Sequence, residues 1–234
     1  MAYENESAAP QWRPKIARWM KRPLLHKLRS VGGKVRTGMH RIEDFVFEWR
    51  RGLDCSGYIE NRKIETIHAA SLPHSRAYQA VSCAAIRELI DEVKKTGIVF
   101  DHFIDLGSGK GKACFYAAIR YRFRKIVGVE FSGPLVEIAQ DNAIRFGADN
   151  IFFVNADVAN FSLPPGDNLV FLFNPFGESI LRKFLEGNMD RFRQSRSVIA
   201  YCNDQHRLCL ARAGFVTLFR NQDTQGSLHQ YSVG

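Results

Sequence analysis

The chain has 234 residues, 45% of them hydrophobic, which suffices for one sizeable core and a modest appendage but is short for two full domains. Its five cysteines, Cys55, Cys83, Cys114, Cys202 and Cys209, are scattered and form no C-x-x-C pair, which argues against a zinc or dithiol site and for a reduced, cytoplasmic protein. No apolar run approaches the roughly 20 residues that span a bilayer, and the start MAYENESAAP is acidic and polar where a secretory signal is basic and then apolar. The net charge of +9 is uneven: residues 11–51 hold twelve Lys or Arg against Glu43, Asp44 and Glu48, and the rest of the chain balances. Such a basic arm can attract nucleic acid or an anionic membrane surface, although a solvated helix face is the commoner reason for it.

Ile16, Trp19, Met20, Leu24, Leu28 and Val31 trace one face of a basic amphipathic helix, which Pro23 bends or interrupts. Gly32-Gly33 separates it from a second helix marked by Met39, Ile42, Val46, Trp49 and Leu53. Residues 76–95, with Val81, Ala84, Ala85, Leu89 and Val93 in phase, predict the helix that leads into a sheet. The division expected is a basic, mainly helical extension over residues 1–69 and a single domain over 70–234. From about residue 99, β-rich runs alternate with helical periodicity, the mark of a parallel sheet covered on both faces. Strands are predicted at 101–106, 125–130, 151–155, 168–173, 197–202, 215–220 and 228–233. The helix after the second strand is well punctuated, with Ser132 as cap, Pro134 in its first turn and Gly147 at its end. The last two strands have only a short polar connection containing Gly226, so they are expected to form an antiparallel hairpin. The fold class is therefore α/β: a Rossmann-like, seven-stranded, mostly parallel sheet with an antiparallel C-terminal hairpin, preceded by a helical extension.

The segment FIDLGSGKGKACFYAA runs from an apolar strand through Asp105 and Gly107, Ser108, Gly109 and Gly111 into a helix. Glycines let the chain turn sharply and bring backbone N–H groups against a ligand, and a helix N-terminus favours a carboxylate. Asp105 suits an ammonium group, so a ligand carrying both groups, such as the methionine part of S-adenosylmethionine, satisfies both features. A dinucleotide fingerprint starting at Gly107 requires a third glycine at position 112, where Lys112 stands. Lys110 and Lys112 themselves read as exposed residues at the helix start. Glu130, with Phe131 beside it, closes the second strand, where an acid commonly accepts hydrogen bonds from ribose hydroxyls. Asp157 and Val158 follow the third strand, and the fourth ends FLFNPFG. His68, His74, His102 and His206 are candidate general bases, none with a feature that selects it. No His or Cys spacing signals a metal.

The combination DLGSGKGK, VGVE and FLFNPFG, preceded by FEWRRGLDCSGYI, resembles class I S-adenosylmethionine-dependent methyltransferases over roughly residues 44–234. Within that class it resembles a bacterial group distantly similar to the Dot1-type core. The resemblance implies S-adenosylmethionine as cofactor, with Asp105 and the glycine loop at its methionine end and Tyr78 covering them. It implies Glu130 at the ribose and Asp157 and Val158 at the adenine. Asn174, Pro175 and Phe176 resemble a shortened N/D-P-P-Y/F motif, which lacks its second proline here; by that likeness they touch cofactor and acceptor together and orient a nitrogen. The expected reaction is direct methyl transfer, first to a protein side chain, with nucleic acid, helped by Trp12 and Trp19 in the basic arm, as the alternative. Small-molecule acceptors, a peripheral place at a membrane, aminopropyl transfer and a non-catalytic S-adenosylmethionine-binding protein stay open.

Overall fold

Strands of alternating apolar residues build the centre of the molecule, because a strand that shows each face to a helical layer must bury both sets of side chains. The structure, a computed structural model, describes residues 32–60, 66 and 77–232. The helix expected over residues 16–31, His68 and His74 lie outside them. The compact unit considered below runs from His40 onward.

In chain order the elements are α1 (Gly32–Arg51), β1 (Tyr58–Ile59), β2 (Tyr78–Gln79), α2 (Cys83–Lys95), β3 (His102–Leu106), α3 (Lys112–Arg120), β4 (Lys125–Glu130), α4 (Gly133–Phe146) and β5 (Ile151–Asn155). A 3₁₀ turn at Val158–Asn160 follows, then β6 (Asn168–Phe173), α5 (Glu178–Arg193), β7 (Val198–Cys202), α6 (Arg207–Arg212), β8 (Phe215–Asn221) and β9 (Gly226–Tyr231). The seven-stranded sheet has the order β5-β4-β3-β6-β7-β9-β8. Its first five strands are parallel, β9 pairs antiparallel with β7, and β8 closes the hairpin. The expected sheet is present, with strand bounds shifted by a residue or two at the ends.

Period two is visible in the burial. Phe103, Ile126, Leu169 and Phe171 join the apolar cluster under α2, α3 and α4, while Ile104, Leu106, Val170 and Leu172 join the one under α5 and α6. Between β3 and β6 the strand order reverses, which opens a crevice at their carboxyl ends, the place where open α/β sheets receive ligands. No helix among the described residues is long and apolar enough to cross a membrane.

Two local expectations are corrected. The helix read over 76–95 begins at Cys83, because Ser82 caps it by accepting from the Ala85 N–H at 3.2 Å. Tyr78 lies instead on β2, paired with β1. The apolar residues that mark the second expected helix do not share one buried side: Ile42 is 40% and Trp49 48% exposed, whereas Leu53, just past α1, is buried together with Phe47 and Glu48. The acids of this helix explain the rotation. Glu43 accepts from the Tyr116 hydroxyl at 2.7 Å and pairs with Arg87, and Asp44 accepts from the Cys83 N–H at 2.7 Å.

Candidate active site

A cavity of about 350 Å³ occupies the crevice at the ends of β3 and β6. Asp105, Gly107, Ser108, Glu130, Phe131, Asp157, Val158, Asn174, Pro175, Phe176 and Tyr78 all line it. Gly109 and Gly111 lie behind that wall and do not.

Asp105, next to last in β3, is 3% exposed, and its hydrogen-bond contact is the Cys114 thiol at 3.7 Å. Burial, reinforced by the nearby Glu130 charge against the thiol contact, pushes its pKa up to about 8. Among the described residues no cation faces this carboxyl group. The buried Ser108 hydroxyl likewise has no hydrogen-bond partner among the described residues. Glu130 receives the Gly109 N–H at 2.8 Å and the Ser132 N–H at 3.0 Å, one on each oxygen, which leaves acceptor capacity for a further donor. Burial raises its pKa and the backbone bonds oppose the rise. Asp157 accepts from the Ala159 N–H at 2.9 Å and so caps the 3₁₀ turn that carries Val158 into the cavity wall.

One expectation about the glycine loop changes. Its N–H groups do not point at a ligand: those of Gly107 and Ser108 go to the Val129 carbonyl at 2.8 and 3.1 Å, and that of Gly111 to Ser108 at 2.8 Å. The donors left are the first-turn N–H groups of α3, at Lys112 and Ala113 on the cavity wall, which have no carbonyl within their own helix. The glycines serve close approach. A Cβ on Gly107 (φ +79°) would stand 2.3 Å from Pro175 Cβ, and one on Gly109 (φ +52°) 2.2 Å from the Tyr78 ring. The loop therefore touches the Asn-Pro-Phe turn on one side and Tyr78 on the other.

Asn174 follows β6 with φ +43°, a backbone region that a non-glycine residue occupies only when its surroundings hold it there. Its side-chain oxygen accepts a long bond, 3.4 Å, from the buried Tyr201 hydroxyl. Phe176 is buried against the α5 layer while also facing the cavity.

Several wall residues were not legible in the sequence. Asn203 (φ +57°) and Gln205 follow β7, and Tyr58 stands on β1. Lys110 and Lys112 are buried rather than exposed, each tied to acids near the end of α1 or just beyond it. The only acids in the basic arm, Glu43, Asp44 and Glu48, were the available signal. His102 sits at the far end of β3, held by Asn168 and Arg124, and His206 is not in the cavity wall. No group of His, Cys, Asp or Glu among the described residues could hold a metal ion.

Residues 101–206 match the family described as a methyltransferase domain. A search of curated proteins finds no match. Among solved structures, an S-adenosylmethionine-dependent methyltransferase from Clostridium acetobutylicum ATCC 824 aligns with TM-score 0.52 at 10% identity, over 65% of this chain and 93% of that one. TrmN from Thermus thermophilus aligns with TM-score 0.50 at 14% identity, over 65% of this chain and 49% of that one. At these identities the likeness is one of fold. Residues 101–206 are thus similar to a methyltransferase domain, the fold agrees with that likeness, and the cofactor the likeness implies is S-adenosylmethionine.

Proposed function

We propose that the chain transfers a methyl group directly to a nitrogen on a protein side chain. The single observation that carries this reading is Asn174, held in a left-handed conformation at the end of β6, beside Pro175 packed on Gly107 and in the same cavity as Asp105. When bound, S-adenosylmethionine supplies an electrophilic methyl on a sulfonium. Asp105 would pair with its ammonium, Ser108 and the α3 N-terminus would face its carboxylate, Glu130 would accept from the ribose and Asp157 and the Val158 backbone would hold the adenine amino group. Tyr78 would close over the loop and exclude water.

On the acceptor side Asn174 Oδ1 and the Pro175 carbonyl would accept from the nitrogen, aiming its lone pair at the methyl, while Phe176 walls the approach. The charged side chains of the cavity wall, Asp105, Lys112, Glu130 and Asp157, belong to the ends of β3, β4 and β5 and the start of α3. Beyond β6 and β7 the wall is neutral, made of Phe173, Asn174, Asn203 and Gln205, which suits an uncharged nitrogen better than an ammonium. The kinship with the Dot1-type core belongs to this same proposal and rests on the combination of DLGSGKGK, VGVE and FLFNPFG with the upstream FEWRRGLDCSGYI and Tyr78.

The test is transfer of a tritiated methyl into a cell extract fractionated into protein and nucleic acid. Label in the protein fraction is the expected result, and Asn174→Ala should reduce it about 100-fold, more than any loss of affinity for S-adenosylhomocysteine accounts for. Label in nucleic acid would move the acceptor to the class that the basic arm favours. Label in neither fraction but in the small molecules would make the acceptor a metabolite, and tight cofactor binding with no transfer to protein, nucleic acid or small molecules would make the protein a sensor of the cofactor.

A further inference from the structure

The glycine loop is held from outside by a part of the chain that touches none of its ligand-facing surface. Lys112, 4% exposed, places Nζ 3.0 Å from both Asp44 and Glu48 of α1. Lys110 donates to Asp54 at 2.8 Å and to the Ser56 carbonyl at 2.9 Å. Asn142 of α4 ties the same pieces together, accepting from the Asp54 N–H at 2.9 Å and donating to the Lys110 carbonyl at 3.1 Å. Tyr78, whose ring blocks Gly109, donates to the Cys55 carbonyl at 2.6 Å. Each lysine that flanks Gly111 is thus spent on the stretch from Asp44 to Ser56.

Resting on the proposed function of this cavity, we propose that the buried Lys112–Asp44–Glu48 triad is a positioning device for the cofactor loop. The charge count excludes a simpler role: two carboxylates around one ammonium leave the triad negative, which is the wrong sign to receive a ligand carboxylate. Burial alone would depress the Lys112 pKa, but Glu48 and Asp44 together hold it above the ordinary value, so the clamp stays charged. Asp44 and Glu48 are absent from the cavity wall, so they reach the cofactor only through Lys112 and the loop.

Calorimetric titration of S-adenosylhomocysteine into the full chain separates the possibilities. The variants are the double substitution Asp44→Asn with Glu48→Gln, Lys112→Met and Lys112→Arg, each checked for folding by thermal melting. The proposal expects a loss of affinity of about tenfold or more in the double variant and in Lys112→Met, non-additive when the two are combined, with partial rescue in Lys112→Arg. Were Lys112 a direct ligand contact, the double variant would bind as tightly as the wild type or more so, and the proposal would fall. Hydrogen exchange at residues 107–113 reads the clamp without any ligand. Faster exchange there in the folded double variant supports the clamp even if the wild type binds no cofactor, an outcome that would remove the proposed function alone; unchanged exchange overturns it.

Discussion

At the scale of the residue, Asp105 carries the clearest consequence. Its pKa of about 8 means that the free protein holds a proton there at pH 7, while a bound ammonium would favour the carboxylate. Binding of S-adenosylmethionine at pH 7 should therefore release about one proton, read as the dependence of calorimetric enthalpy on buffer ionisation. Affinity should rise with pH up to about 8 and fall above it, where the ligand's own α-ammonium gives up its proton, and Asp105→Asn should abolish the rise and the proton release. The same shift makes folding stability fall as pH rises from 3.8 to about 8, since the unfolded chain gives up the proton first. Gly109 and Gly147 offer a second contrast. Both have positive φ, but a Cβ on Gly109 meets the Tyr78 ring whereas one on Gly147 meets nothing within 4 Å. Gly147→Ala should cost about 1–2 kcal/mol of stability and leave cofactor affinity alone, while Gly109→Ala should lower affinity as well; urea melts beside calorimetry check the pair. Asp105, Glu130, Asp157 and Asn174 were legible because each stands at or just past the end of a recognisable strand. Lys110 and Lys112 were not, since their acidic partners lie more than fifty residues away in sequence.

Among elements, the strands and α4 follow from local pattern because one helical layer covers each face of the sheet. Helix α1 does not. Its apolar residues stand at helical spacing, yet Ile42 and Trp49 are exposed, because the ion pairs made by Glu43, Asp44 and Glu48 outweigh a narrow apolar stripe. Phe47, on the inward side, meets Tyr116 edge-on with ring centroids 5.2 Å apart. Phe47→Ala should then cost about 3–5 kcal/mol, against about 0.5 kcal/mol or less for Trp49→Ala. Chemical denaturation of the two variants decides between this orientation and the one read from periodicity. Tyr78 shows the other limit of local reading: helical spacing reaches back past Ser82, but pairing of β2 with β1 takes the residue out of the helix and sets its ring over Gly109.

For the whole molecule, the order of strands does what no single motif does. Reversal between β3 and β6 brings Asp105 and Asn174, far apart in sequence, to one crevice, and the Gly107–Pro175 contact joins the two loops. Alternation of strand and helix made that topology readable in advance, together with the antiparallel ending. The walls beyond β7 and the grip of α1 on the loop depend on which distant pieces the fold brings together, and no local pattern encodes that. The central claim, that this crevice takes S-adenosylmethionine by way of Asp105, is tested most directly by titration calorimetry of S-adenosylmethionine and S-adenosylhomocysteine, with NAD as control, on the wild type and on Asp105→Ala. Binding of both ligands to the wild type, weakened in the variant, with no response to NAD, is the predicted result. A folded wild type that ignores both ligands, or that takes NAD in their place, would contradict it.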